Sequence, residues 1–272
     1  MGRLVSHKKR EAVHQCEDRC VPLLSSEAVV LRTWPVREAD LVVSFFSRDY
    51  GRLKGIAKSA LKSRRRFGGA LEPMTVARAW FAERPRQELV RLDQLEILAS
   101  PLSEPVDMLR ATILSFYAEL IDECLPERDP QATVFRLLAS VLDQTHAQRE
   151  DTVPPWMPLT YFQLWMTRLT GLLPSLTRCT ACHAPLQEGA TFFLDYTDGL
   201  FCPLHRGASA QALSGDSWQL AQRMLRAPVA SFATEPFPRR RAQDLRRFAM
   251  QSMERHLEKR LRSAEALSRL GG

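Results

Sequence analysis

Between residue 24 and about residue 100 the chain alternates apolar and polar positions with a period of two, as half-buried strands do. Ser26–Trp34 (SEAVVLRTW) and Asp40–Ser47 (DLVVSFFS) are rich in β-branched and aromatic residues. After the second run, Arg48-Asp49-Tyr50-Gly51 is a turn signal, with Gly51 free to take positive φ. Arg52–Lys58 (RLKGIAK) alternates basic with apolar residues, which charges one face of a third strand. Met74–Glu83 and Gln87–Leu98 form a last pair about Arg84-Pro85-Arg86. Five short strands over roughly 75 residues, with one irregular connection at Ser59–Gly69, suit a small closed barrel.

Past Pro101 the period changes to 3.6. Val106, Leu109, Ile113, Phe116 or Tyr117, Leu120 and Cys124 make one apolar stripe, which Pro126 ends. Asp129-Pro130 offers an N-cap and a first-turn proline for a second helix through Phe135, Leu138 and Leu142. A third helix, Leu159–Thr170, is followed by Gly171 as a left-handed cap. Two more are expected near Gly215–Arg226 and Ala242–Leu270. The expected fold is therefore α+β and multi-domain. A flexible extension (1–23) precedes the barrel (24–101), and an α-helical domain (102–272) carries an inserted hairpin at about 176–208.

Composition agrees with this division. At 272 residues, 45% of them hydrophobic, the chain has material for two cores. No apolar run approaches the length of a membrane span. The N-terminus, MGRLVSHKKREAVHQCEDRC, starts basic but develops no apolar segment of a signal peptide. A soluble, cytoplasmic protein with no membrane partner is expected.

The formal net charge is +7, and its placement says more than its size. Arg52, Lys54, Lys58, Lys62, Arg64, Arg65 and Arg66 follow one another with no acid among them. A second basic cluster runs from Arg239 to Arg262, there mixed with Asp244, Glu254 and Glu258. By composition alone a basic run is as readily a solvated loop. Flanked by barrel strands, the first run reads as a groove that tracks phosphates, and the OB-fold is the commonest small barrel that binds nucleic acid. Phe67, Tyr50 and Trp80 are candidates for stacking on bases, although residues of this kind are more often core.

Six cysteines are too sparse for a disulfide scaffold. Cys179-Thr-Ala-Cys182 and Cys202-Pro-Leu-His205 instead form two ligand pairs at knuckle spacing, joined by a hairpin (Ala190–Phe201) with Asp198-Gly199 at its turn. The plainer reading is reduced thiols packed as small hydrophobes. Four N/S ligands suit one closed, structural zinc ion per chain rather than a catalytic one, which keeps a position open for water. His183 competes with His205, but it directly follows Cys182, which hinders its ring from turning back onto the same metal. Cys16 and Cys20, with His14, lack a second pair and are set aside. No G-x-x-x-x-G-K-[ST] loop, nuclease-like carboxylate cluster or nucleophile–base pattern stands out, so no enzyme is expected.

Residues 28–73, AVVLRTWPVREADLVVSFFSRDYGRLKGIAKSALKSRRRFGGALEP, closely resemble the OB-domain signature of the RecO family. The marks are Glu38, Tyr50-Gly51-Arg52, Ala57-Lys58, and Arg66-Phe67 ahead of Leu71-Glu72-Pro73. LTGLLPSLTRCTAC (169–182) resembles the lead into that family's zinc finger. The resemblance spans about residues 24–225, and two departures stand out. His205 replaces a cysteine found in many zinc-bearing members, and the extension before residue 24 is unusual. What the resemblance implies is a recombination mediator in DNA repair. Such proteins bind single- and double-stranded DNA, anneal complementary strands, and work with RecR to load RecA on strands coated with single-strand-binding protein. The acidic C-terminal tail of that coat protein docks on the mediator. The alternative is a zinc-containing nucleic-acid-binding adaptor in RNA metabolism or transcription.

Overall fold

The computed structural model describes residues 22–84, 87–101, 106–147, 155–195 and 197–270. The extension with His14, Cys16 and Cys20, and the Pro85-Arg86 turn, lie outside them. The chain forms two compact units. One runs to Ser100 and takes in Glu127–Pro130; the other holds Pro101–Pro126 and everything from Gln131 onward.

The first unit is a closed barrel of five strands in the order β1-β2-β3-β5-β4: β1 Leu23–Pro35, β2 Leu41–Ser47, β3 Gly51–Ala57, β4 Val76–Ala82 and β5 Val90–Ala99. All neighbours are antiparallel except β3 and β5. The long β1 serves two partners: Leu23–Val29 pairs with β4, and Ala28–Pro35 pairs with β2 across an irregularity between Val30 and Arg32. Alternation places Val30, Val43, Phe45, Leu53, Phe81 and Leu92 inside. The connection from β3 to β4 winds through a 3-10 turn, Ala60–Lys62, and a one-turn helix α1, Arg64–Phe67. It drops Phe67 into the core at 1% exposure, so Phe67 cannot stack on a base.

The second unit contains helices α2 (Met108–Cys124), α3 (Ala132–Ala147), α4 (Trp156–Leu169), α5 (Gly215–Met224), α6 (Gln243–Leu257) and α7 (Arg262–Arg269). Tyr117 of α2 packs on Phe162 of α4 with ring centroids 4.5 Å apart. Gly171 ends α4 with φ +77°. The N–H of Leu172 donates to Thr167 O and that of Gly171 to Arg168 O, the paired bonds of a Schellman cap. Two expectations fail here. α3 begins at Ala132 rather than at Asp129-Pro130, because Glu127–Pro130 is held by the barrel unit instead. The helix expected over Ala242–Leu270 is two helices, because Glu258 turns left-handed (φ 52°) and closes the first.

The second of these, α7, has no capping side chain of its own. Its N-terminus is met by Glu119, buried on α2, whose carboxylate accepts from the backbone N–H of Arg262 (3.1 Å) and of Ser263 (2.8 Å), and from the Ser263 hydroxyl. A distant residue thus satisfies amides that the local sequence leaves open. Glu119→Ala is expected to destabilise the protein by about 2–4 kcal/mol in denaturant unfolding, since buried donors lose a charged acceptor. Glu265→Ala, which removes an exposed pair with Arg269 and one first-turn charge, is the control and should shift stability by less than about 1 kcal/mol. Equal losses would refute the capping role.

Candidate functional site

The strand β3 presents Arg52 and Lys54 outward, as its alternation requires. Neither is free. Glu127 comes in from the 127–130 loop to within 3.4 Å of Arg52 and 2.7 Å of Lys54. The bond from Lys54 holds its carboxyl below the usual range, against the pull of burial, and the charges of Arg52 and Arg128 add to the effect. The loop is anchored twice more. Arg128 N–H donates to Arg52 O at 2.9 Å, and its guanidinium donates to Glu88 O and pairs with Glu83 at 2.5 Å. Gly51 (φ +71°) gives this loop room, because a Cβ there would lie 2.3 Å from Asp129 O.

Past β3 the cations divide again. Arg66 is structural: it donates to Lys58 O at 2.6 Å and to Ser63 Oγ at 3.1 Å, and lies over the Phe67 ring. Lys58, Lys62, Arg64 and Arg65 are exposed and carry no ion pair among the described residues. Of the seven expected binding residues, four are therefore open to solvent, two are paired with Glu127, and one holds the connection in shape. Tyr50 is half-buried, edge-on to Phe81 at 5.2 Å, and Trp80 is half-buried on β4.

The cluster from Arg239 to Arg262 is divided: Arg246 is buried, Arg239, Arg241 and Arg255 are half-buried, and Arg240, Arg247, Lys259, Arg260 and Arg262 are exposed. Arg246 is buried over Trp156 and donates to Thr160 Oγ1 at 2.8 Å and Arg241 O at 2.9 Å. Burial, together with the Arg239 charge, lowers its pKa to about 10. Arg241 pairs with Glu235, Arg255 with Asp198, and Lys259 with Glu123. Part of this run is therefore scaffold, while Arg240, Arg260 and Arg262 stay exposed with no ion pair among the described residues.

The cysteine constellation does assemble. A three-stranded sheet, β7-β6-β8, is formed by β6 (Thr191–Leu194), β7 (Thr197–Phe201) and β8 (Gln211–Leu213), the last of which the sequence pattern did not suggest. Phe193 of β6 anchors it on Phe248 of α6 at 5.5 Å. The two knuckles meet at one end, where the Sγ of Cys179, Cys182 and Cys202 and a ring nitrogen of His205 all lie within 4.8 Å of one another. Cys182 Sγ is 3.9 Å from Cys202 Sγ, which is 3.3 Å from His205 Nδ1. A tetrahedron with metal–sulfur arms of about 2.3 Å has edges of about 3.8 Å, so the donor set fits a single ion. Burial pushes the Cys179 thiol up, but backbone N–H groups of Cys202, Cys182 and Ala181 outweigh it and bring it down to about 6. That favours the thiolate a metal needs. His183 does not belong to the cluster.

Gly199 lies within β7 rather than at the hairpin turn, because Leu194 already pairs with Thr197. It takes φ +113°, and a Cβ there would fall 1.9 Å from Thr180 Oγ1, inside the first knuckle. Gly199 is what lets the two ligand pairs approach.

A closed barrel with open cations on one connection, followed along the chain by helices with a Cys3His knuckle hairpin, defines a class of two-unit proteins. Known sequences give that class a family. The model of "Recombination protein O N terminal" matches residues 22–101, and that of "Recombination protein O C terminal" matches residues 105–265. The DNA repair protein RecO of Koribacter versatilis is 50% identical over 250 residues, covering 91% of this chain and 99% of that protein. The protein of the same name from Anaeromyxobacter sp. (strain K) is 31% identical over 255 residues, covering 89% and 95%. The chain belongs to the recombination protein O family.

Gly199→Ala is expected to cost on the order of 3 kcal/mol, from backbone strain and the clash with Thr180. Gly189→Ala, also at positive φ (72°) but with open space around it, should cost markedly less. Thermal unfolding of the two variants checks this, and equal shifts would show that the contact with Thr180 does not matter.

Proposed function

We propose that this protein is a DNA repair and recombination mediator whose barrel is an OB-fold that binds single- and double-stranded DNA. On this reading it anneals complementary strands and works with RecR to load RecA on strands coated with single-strand-binding protein. The carrying observation is the set of open cations, Lys58, Lys62, Arg64 and Arg65, on one barrel connection. The strand order, with its parallel β3–β5 closure, suits an OB-fold. The relatives, named DNA repair proteins, point the same way.

A docking place for the coat protein's acidic tail is supported on the helical unit. A cavity of about 270 Å³ there has apolar walls from Trp156, Leu159 and Leu267, with Arg239, Arg246 and Arg247 beside them. A carboxylate entering such a place leaves water and needs a guanidinium partner. Arg239, Arg246 and Arg247 thus serve this reading as the basic wall of a pocket.

The Cys179, Cys182, Cys202 and His205 cluster is read as one structural zinc site per chain, its ion fixing the hairpin on the helices. No second, carboxylate-rich metal group occurs among the described residues, and nothing in this reading needs catalysis.

Four outcomes follow. Purified protein should speed annealing of naked complementary strands without nucleotide or divalent metal. Lys62→Ala/Arg64→Ala/Arg65→Ala should weaken binding to all sequences alike and flatten the log–log salt slope by roughly 0.7 per lost contact on single strands. On coated strands, annealing should vanish when the coat protein lacks its acidic tail. Failure to anneal naked strands at low salt would favour the adaptor reading. For the metal, elemental analysis should find about one zinc per chain in the wild type and little in Cys179→Ser/Cys182→Ser, with a lower melting temperature, because binding at such sites is coupled to folding. Equal zinc in both would refute the assignment.

A further inference from the structure

Three of the five tryptophans are accounted for by packing or hydrogen bonding. Trp156 is buried under Arg239 and Arg246. Trp165 donates its indole N–H to Met224 O at 3.0 Å, and Trp218 donates to Leu176 O at 2.6 Å. Trp80 is half-buried on β4. Trp34, at the end of β1, is 38% exposed, and its side chain has no hydrogen bond, ring contact or cation partner among the described residues.

Its surroundings are unusual for a soluble surface. The cross-strand register runs Trp34–Val42–Ile56–Arg91 over β1, β2, β3 and β5. Val42 and Ile56 alternate with the core residues Leu41, Val43 and Ala57, so this row lies on the outer face of the barrel. Neighbours in such a row are about 5 Å apart and form a continuous apolar strip. At its Trp34 end the strip continues into two further exposed apolar residues, Val36 (53%) and Leu61 (62%). The turns that carry them are tied together. Leu61 N–H donates to Ala39 O at 3.2 Å, and Ser59 N–H donates to Asp40 Oδ1 at 2.7 Å. The same turns carry exposed Arg37, Lys58 and Lys62, against one exposed acid, Glu38.

An exposed aromatic and apolar strip rimmed by cations fits one chemistry best. We propose that Trp34 is a stacking platform for unpaired bases of single-stranded DNA, whose phosphates lie on Lys58 and Lys62. This rests on the DNA-binding reading above and deepens it. Cations hold phosphates of single and double strands alike, whereas only an unpaired base can leave its stack to cover an indole. Trp34 therefore supplies the preference for single strands, and the lysines supply affinity for both. The acidic protein tail invoked above would suit cations too, but it is served by the walled cavity on the helical unit, whereas this open strip offers an indole to a base.

The test uses the full chain with oligothymidylate and a duplex of equal length, each titrated at several salt concentrations. Trp34→Ala should weaken single-strand binding on the order of tenfold, leave duplex affinity unchanged, and keep the wild-type salt slope, since no phosphate contact is lost. Trp34→Phe should restore most of the affinity while removing much of the fluorescence quench that oligothymidylate causes in the wild type. Unchanged single-strand affinity in Trp34→Ala, or equal losses on single strand and duplex, would overturn the stacking role and leave the DNA-binding reading standing. A variant that keeps both affinities but fails on coated strands would mark the strip as a protein contact, which also overturns it. A wild type that binds neither DNA would overturn the underlying reading itself.

Discussion

The barrel closes on very little. Only Gly55↔Val90, Ile56↔Arg91 and Ala57↔Leu92 join β3 to β5, and the rest of the ring depends on this parallel seam. Gly55 is what allows it. A Cβ at that position would meet Val90 Cγ2 at 3.0 Å, Leu92 Cβ at 3.3 Å and Phe45 Cε1 at 3.3 Å, three side-chain neighbours converging where the strands cross. With the seam shut, β1 must bend to pair with both β2 and β4, and alternation then fixes which residues face out. The outer row through Trp34 and the cationic connection after β3 both follow from that closure.

Charge in this protein divides by burial more than by sequence. Arg52, Arg66 and Arg246 come from basic stretches, yet each is engaged in holding backbone or side chains in place. Arginine suits this because its planar fork satisfies several acceptors at once and stacks on aromatic faces. Lys58, Lys62, Arg64 and Arg65 stay in water. A count of positive residues thus overstates the charge available to a partner and misplaces part of it.

The parts legible in the sequence were those governed by local periodicity and spacing. All five barrel strands, the first helix of the second unit, the Gly171 cap and the four-ligand cluster were readable, because each is written within a few adjacent residues. What escaped depends on residues far apart in the chain. Glu127 lies more than seventy positions beyond Arg52 and Lys54, in what reads locally as the lead into a helix. Arg246 reads as surface until Trp156 is seen beneath it. Gly199, preceded by an aspartate, has the signature of a turn, and only Thr180 across the hairpin reveals its purpose. Trp34 draws no notice in the sequence, because a ring beside arginines, as at Phe67, is conspicuous there and exposure is not.

Glu127 is in effect a counterion built into the protein. Where a bare lysine or arginine is attended by dissolved anions, Arg52 and Lys54 already have one that cannot diffuse away. Two cations and one carboxylate leave a single net positive charge on this face, so a strand lying there would release fewer of its own condensed cations than two bare cations would draw off. The salt dependence would register Lys58, Lys62, Arg64 and Arg65 more fully than the β3 pair, and would understate the surface that a bound strand covers.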